Sequence, residues 1–306
     1  MTDRIALIVN PAATRVGPHL RDQAVQTLTP LGLCGVAETT RGGDGARLAA
    51  EAVADGATLV VAMGGDGTVN EVAYTLAGTS TALAVLPAGS TNVFARALGW
   101  PHPARLALPD LATALRTPRF RDVTLGQIAF GGTQRVFCVN AGTGLDAETI
   151  HLVEARPWLK TKFRQLGVGG ATVVAAARAA RHANVISVAI DDALPRELTT
   201  LVVACGAPYA YVGSRELDLV PGAAFDGRLR WVGLRSSGFT HVGRMAVGAL
   251  RGGRHLGQEN VTDGWAIRQI VVTSDRPVAL QADGEPLGWH TRVLLSPGPV
   301  LRTLLP

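Results

Sequence analysis

The chain contains only three cysteines, Cys34, Cys138 and Cys205, far apart and set in apolar, strand-like surroundings. An odd, scattered set excludes a disulfide framework and a cysteine metal cluster, and fits a reducing compartment. Aromatic residues make up 5% of the sequence, and Lys160 and Lys162 are its only lysines, so nearly all of the 29 basic residues are arginine. No apolar run approaches the 18 or so residues that span a bilayer, and the stretch from Met1 to Val9 turns polar too quickly for a signal peptide. The expectation is a cytoplasmic protein without a transmembrane segment, touching the inner face of the membrane only peripherally. Also missing are a Gly-x-Ser-x-Gly elbow and a Walker lysine, which argues against serine-hydrolase and P-loop chemistry. The histidines lack metal-ligand spacing.

What is present suits packed α/β layers: 306 residues, 47% of them apolar, with a formal net charge of +5. That length favours two domains, and the modest positive charge allows nucleotides, anionic lipid or nucleic acid as partners without selecting among them. The first segment alternates strands (Ile5 to Val9, Gly35 to Thr39, Leu59 to Met63, Ala82 to Pro87) with helices near Arg21 to Leu31 and Gly45 to Asp55. This βα alternation predicts a parallel sheet with helices on its faces, and ligands at the strand C-termini. After about Arg119 strands dominate: Arg135 to Asn140, Val185 to Ile190, Thr199 to Cys205, Leu229 to Leu234, Ala266 to Thr273, Val278 to Ala282 and Arg292 to Leu295. A mainly antiparallel β-sandwich is predicted there, interrupted by a helical stretch from about Thr149 to His182. The domains are placed at residues 1–122 and 123–296, with the tail at 297–306 packing back onto the first.

The run Leu59 to Val72 carries the most chemistry. An apolar strand enters Gly64-Gly65-Asp66-Gly67-Thr68, and a helix opens at Val69. Glycines allow main-chain N–H groups to approach a ligand, the helix N-terminus favours phosphate oxygens, and Asp66 adds a carboxylate able to hold Mg²⁺ directly or through water. Asn10-Pro11 ends the first strand at the same rim. Pro87 to Arg96 adds hydroxyl and amide donors at another strand end, and Arg96 can reach phosphate. Near the C-terminus, Asp283-Gly284-Glu285 puts two carboxylates on a turn between strands; an Asp-Gly pair is also an ordinary hairpin former.

In this order, Val9-Asn10-Pro11, Gly64 to Glu71, Pro87 to Asn92 with Phe94-Ala95-Arg96, and Asp283 to Pro286 resemble the diacylglycerol kinase catalytic-domain family, soluble bacterial lipid kinases related to sphingosine kinases. The resemblance spans nearly the whole chain. It implies an N-terminal α/β nucleotide-binding domain with a parallel sheet like that of NAD kinases and phosphofructokinases, a C-terminal β-sandwich for the lipid acceptor, ATP as donor and Mg²⁺ as its metal. Position by position, it implies ATP contacts at Asn10, Pro11, Ala12, Ala13 and Thr14, at Thr39, at Gly65, Asp66, Gly67, Thr68, Val69, Asn70 and Glu71, and at Ser90. The general base falls on Glu285, where a carboxylate beside the acceptor hydroxyl can take its proton. A structural Mg²⁺ site is implied at Ala223, Asp226 and Arg228, with Asp226 as the carboxylate ligand and the carbonyls of Ala223 and Arg228 completing the protein side. Where many members have aspartate after the motif asparagine, this chain has Val93; Asp122 matches another acidic member of the same water and metal network.

The GGDG turn is shared with NAD kinases and phosphofructokinases, so a soluble acceptor is an alternative, and the Val93 departure motivates another, a nucleotide- or lipid-binding regulator that has lost turnover. The segment from Arg156 to Arg164 interleaves Trp158, Leu159 and Phe163 with basic residues, a pattern that docks on anionic lipid headgroups. It is not accompanied by a nucleic-acid-binding motif, and no nucleic-acid partner is expected. A homodimer is allowed for.

Overall fold

The computed structural model describes residues 4–101, 104–155 and 184–306. The chain divides into two compact units, one of Met1–Val123 with Pro299–Pro306, the other of Thr124–Gly298. The basic aromatic segment from Arg156 to Arg164 lies outside the described residues. Among the described residues, no helix is long and apolar enough to cross a membrane.

In the first unit, β1 (Ile5–Val9), β2 (Leu33–Glu38), β3 (Leu59–Gly64), β4 (Ala82–Pro87) and the end of β16 (Glu285–Leu304) form a parallel sheet in the order β2-β1-β3-β4-β16. Every residue of β1, β3 and β4 is buried, which is why these strands read as unbroken apolar runs instead of alternating ones. By contrast β2 is mostly exposed and forms an edge. Around the sheet lie α1 (Pro18–Leu28), α2 (Asp44–Ala54), α3 (Asp66–Leu76), α4 (Val93–Ala97) and α5 (Ala104–Arg116). The buried faces of α2 and α3 carry Leu48 and Ala49, and Val69, Val72, Ala73 and Leu76. In the tail, Thr303 pairs with Leu83 of β4, and Leu301 and Leu304 are fully buried.

The second unit is strand-rich and antiparallel. Its main run is β14 (Val261–Ala266), β13 (Leu229–Leu234), β10 (Thr200–Ala204), β7 (Asn140–Gly144), β15 (Ile270–Ala282) and the first part of β16. Beside it, β8 (Ile186–Ile190) pairs with β15 and with β9 (Arg196–Leu198), β5 (Phe120–Phe130) pairs with β6 (Thr133–Phe137), and β11 (Ala210–Val212) pairs with β12 (Arg215–Leu217). A mixed fold of this kind, parallel α/β followed by antiparallel β, is the class the sequence predicts.

Three local expectations change. The run Arg135 to Asn140 is not one strand, because it breaks at Cys138 and Val139, whose N–H groups are bound by Asp283. The runs Ala266 to Thr273 and Val278 to Ala282 do not form two strands: Ala266 closes β14, and the rest joins in β15, whose register shifts between Thr273 and Val278. The helix expected from Thr149 is α6 (Leu145–Glu154), and residues 156–183 lie outside the described ones. A further helix, α7 (Phe239–Ala249), forms from a sequence with two glycines because Met245 packs into a cluster with Val202, Val232, Leu234 and Val261. Tertiary burial outweighs weak local propensity there.

Asp44 starts α2 and turns back on the preceding loop. Its carboxylate accepts the Thr40 hydroxyl at 2.7 Å, the Thr40 N–H at 2.8 Å and the Arg41 N–H at 3.1 Å. These bonds, the hydroxyl's foremost, favour the anion and hold the Asp44 carboxyl well below its ordinary value of 3.8. A depressed pKa in the folded state means that the stabilisation is complete above the ordinary value and fades as the pH falls toward the depressed one. Asp44→Asn is therefore expected to unfold at lower urea than the parent near neutral pH, with the gap closing in strongly acidic solution; urea titrations across that range measure it. For the tail, Leu301→Ala should cost about 2–5 kcal/mol of stability, read as a lowered midpoint in denaturant unfolding.

Candidate active site

Parallel register brings the ends of four strands to one edge of the first unit's sheet. Val9 pairs with both Glu38 and Met63, and Gly64 pairs with Pro87, so the loops after β1, β2, β3 and β4 leave the sheet together. They are tied to each other through main chain and side chain. Arg15 N–H donates to the Ala88 carbonyl at 3.0 Å, Ala88 N–H to Gly64 at 2.8 Å and Thr39 N–H to Val9 at 2.9 Å. The Asn10 amide does two jobs: its Oδ1 accepts the Ala12 N–H at 2.9 Å, and its Nδ2 donates to Thr68 Oγ1 at 2.8 Å. Pro11, Ala12 and Thr14 are exposed, Ala13 is half-buried and Thr39 is buried.

The α3 helix begins at Asp66, three residues before the sequence places it, and Gly65 is its N-cap without any side-chain capping bond. Its first turn therefore receives no bond from the N-cap side chain. Space is available at Gly67, where a Cβ would meet nothing within 4 Å, while Gly65 lies back to back with Gly89, whose Cβ would stand 2.6 Å from the Gly65 Cα. Two bare glycines are what let the third and fourth loops touch. Val69 and Asn70 turn inward, only 2% and 3% exposed.

The acidic residues of this rim hold its architecture. Asp66 accepts the N–H groups of Asn92 and Val93 at 2.8 and 2.6 Å, clamping the start of α4. Position 93 therefore acts on Asp66 through its amide, which valine supplies as well as aspartate. Asn92, in the left-handed region at φ 52°, closes the loop by exchanging two bonds of 2.9 Å with Gly89. Glu71 reaches α2, accepting Gly43 N–H at 2.8 Å and Gly45 N–H at 2.9 Å. Its carboxylate is engaged there. Ser90 is exposed on the fourth loop, and Arg96 follows within α4. Asp122 is exposed on β5.

In the second unit the two carboxylates of the Asp283-Gly284-Glu285 turn play different parts. Asp283, itself at φ 48°, accepts N–H groups from Cys138 at 2.6 Å, Val139 at 2.8 Å and Asn140 at 3.1 Å. It fastens the turn to the break between β6 and β7. Glu285 is 49% exposed at its side chain and meets Arg135 Nη2 at 3.3 Å. Sequence reasoning misses Arg135, which sits in a strand-like run that gives no sign of its partner.

In the stretch where the resemblance implies a structural Mg²⁺, the carboxylate is paired with a neighbouring arginine. Asp226 Oδ2 is gripped by Arg228 through Nε at 3.1 Å and Nη2 at 2.5 Å, its Oδ1 accepts the Arg228 N–H at 3.2 Å, and that guanidinium lies 4.4 Å from the Trp265 ring centroid. A cation held by the Asp226 carboxylate and the carbonyls of Ala223 and Arg228 would have to displace that guanidinium. Among the described residues no three His, Cys, Asp or Glu side chains cluster as metal ligands.

Residues 4–128 match the family model of the diacylglycerol kinase catalytic domain. Among solved structures, a candidate diacylglycerol kinase from Bacillus anthracis str. Sterne aligns with a TM-score of 0.77 at 22% identity, over 99% of this chain and 98% of that one. A diacylglycerol kinase from the same organism aligns with a TM-score of 0.70 at 18% identity, over 99% and 97% of the two chains. No curated protein sequence matches the chain. The structural likenesses establish the fold, and the match to the diacylglycerol kinase catalytic-domain model covers residues 4–128, the segment that holds the whole rim of the first unit.

Proposed function

We propose that the chain is an ATP-dependent lipid kinase that transfers the γ-phosphoryl group of ATP to the hydroxyl of diacylglycerol or a related lipid alcohol. The observation that carries this reading is the rim itself. Four loops are bound together around an α3 N-terminus with no side-chain cap, and open space at Gly67 lies beside it, within the segment matched by the kinase family. Main-chain N–H groups and the helix dipole at that point suit the phosphates of ATP. Asp66 brings a carboxylate to the first turn of the same helix, and oxygen ligands of this kind suit the magnesium that arrives with ATP, directly or through water.

In the reaction the lipid hydroxyl oxygen forms a bond to the γ-phosphorus as the bond to the β-phosphate oxygen breaks, and ADP leaves. The hydroxyl proton goes to a carboxylate, a part we assign to Glu285, whose side chain is half exposed, whereas the Asp283 carboxylate is occupied by main-chain N–H groups. Arg135 steadies that carboxylate at 3.3 Å. Because the transition state is stabilised mainly by charge and position, the clamps on the loops matter as much as the acids. Approach to the membrane we assign to the segment from Arg156 to Arg164.

Radiolabelled γ-phosphate transfer to a panel of lipid alcohols in mixed micelles tests the reading, with NAD and fructose 6-phosphate as soluble controls. Labelled phospholipid is expected, and a labelled soluble product would overturn the proposal. Glu285→Gln should bind ATP normally and lose about 10²–10⁴-fold in kcat. Gly67→Ala should fold as the parent does and raise KM for ATP, since its methyl group enters only open space; an unchanged KM would remove Gly67 from the phosphate site.

A further inference from the structure

The sequence Asn140-Ala-Gly-Thr-Gly-Leu-Asp146 carries an acid that no step above uses. Asp146 stands in the first turn of α6, and two donors point at its carboxyl group. Tyr209 O–H donates to Oδ1 at 2.6 Å, and Gln281 Nε2 donates to Oδ2 at 2.8 Å. No basic group faces it in these contacts, and burial raises its pKa above the ordinary value, as it raises that of Tyr209. The site is built around that carboxyl group: a Cβ at Gly142 would lie 1.8 Å from Asp146 Oδ2 and 3.0 Å from Gln281 Nε2.

Gln281 leads from this acid to the turn. Its side chain is fully buried, its Nε2 also reaches Asn140 Oδ1 at 3.3 Å, and its Oε1 accepts the Gly284 N–H at 3.0 Å. Asn140 closes the circuit. Its Nδ2 donates to the Tyr209 carbonyl at 3.0 Å, its N–H donates to Asp283, and its carbonyl accepts the Asp283 N–H at 2.8 Å. An amide side chain is free to rotate end for end, and only its partners decide which end faces Gly284. Asp146, as an acceptor, draws the Nε2 end of Gln281 to itself and so turns Oε1 toward the Gly284 N–H. The orientation of the turn before Glu285 is thus set from Asp146.

We propose that Asp146 is a positioning residue, acting through Gln281 to hold the Gly284 amide and so the turn that presents Glu285. The inference rests on the reading of Glu285 as the base. It predicts that the polarity of the link matters more than the identity of either residue. Asp146→Asn should pair more weakly with Gln281, because a single neutral amide oxygen replaces the carboxylate that serves two donors, and Tyr209 must turn from donor to acceptor to meet the amide nitrogen. Gln281→Glu should fail too, because two carboxyl groups would meet. The double variant Asp146→Asn, Gln281→Glu restores complementarity between these two positions and gives up only the 3.3 Å contact to Asn140 Oδ1: the amide introduced at position 146 donates to the carboxylate introduced at position 281, which still accepts from Gly284.

Two readouts test this on the full-length protein. Hydrogen exchange at the Gly284 amide, followed by mass spectrometry or NMR, should speed up in each single variant and slow again in the double. In the lipid-phosphorylation assay, kcat should fall about 10–10²-fold in the singles with KM for ATP unchanged, and recover in the double. Unchanged Gly284 exchange in Asp146→Asn would overturn the link, as would faster exchange with undiminished kcat, or a double variant no better than the singles. If Glu285→Gln itself retains full transfer, it is the reading of the base that fails, and with it the catalytic purpose assigned here; the exchange data then report separately whether Asp146 holds the turn.

Discussion

The arrangement of this protein's loops depends on one interaction, a carboxylate accepting main-chain N–H groups from a segment remote in sequence. Asp66 binds the start of α4, Glu71 the start of α2, and Asp283 three successive amides between β6 and β7. Asp191, at φ 48°, does the same for Ile267, Arg268 and Gln269. Glycine-rich loops lack side chains to pack and strand neighbours to pair with, so their N–H groups need acceptors from elsewhere. A carboxylate offers two oxygens with several lone pairs, and a hydrogen bond to a charged acceptor contributes about 1.5–3 kcal/mol in general. Loops that must stay open to a ligand can be fixed in this way from behind.

That economy of acids explains where sequence reading succeeds and where it stops. The buried parallel strands β1, β3 and β4 announce themselves as unbroken apolar runs, and the glycine-rich turn at the end of β3 is marked by its own composition. The partners of acids are not visible in that way. Asp283 and Glu285 look alike two positions apart, and only the fold shows that one faces the amides of Cys138 to Asn140 while the other faces Arg135. Glu71 lies within a motif and still serves α2, 28 and 26 residues away along the chain at its two contacts. Strand breaks follow the same logic: the apolar run through Cys138 and Val139 gives no hint that these amides leave the ladder for a side chain. Asp146 escapes a reading of the sequence because its neighbours look like the end of a strand.

Val93 shows how a departure in side chain can leave a contact intact. Its N–H lies 2.6 Å from Asp66, and that bond is indifferent to what Cβ carries. What changes is the negative charge available near Asp66, so the substitution acts on electrostatics more than on loop geometry. An equivalent separation of roles holds at Gly65 and Gly89, where the contact is between backbones and admits no side chain on the Gly89 side.

The last strand of the first unit's sheet comes from the last residues of the chain. A ribosome makes β1 to β4 early, yet the partner that covers the outer edge of β4 is not synthesised until the entire second unit has been made. During that interval β4 presents open N–H and C=O groups, the kind of edge that invites association between nascent chains. The first unit completes its sheet only after the second unit has been made, which makes the order of translation, and not just the final contacts, a determinant of how cleanly this protein folds in a cell.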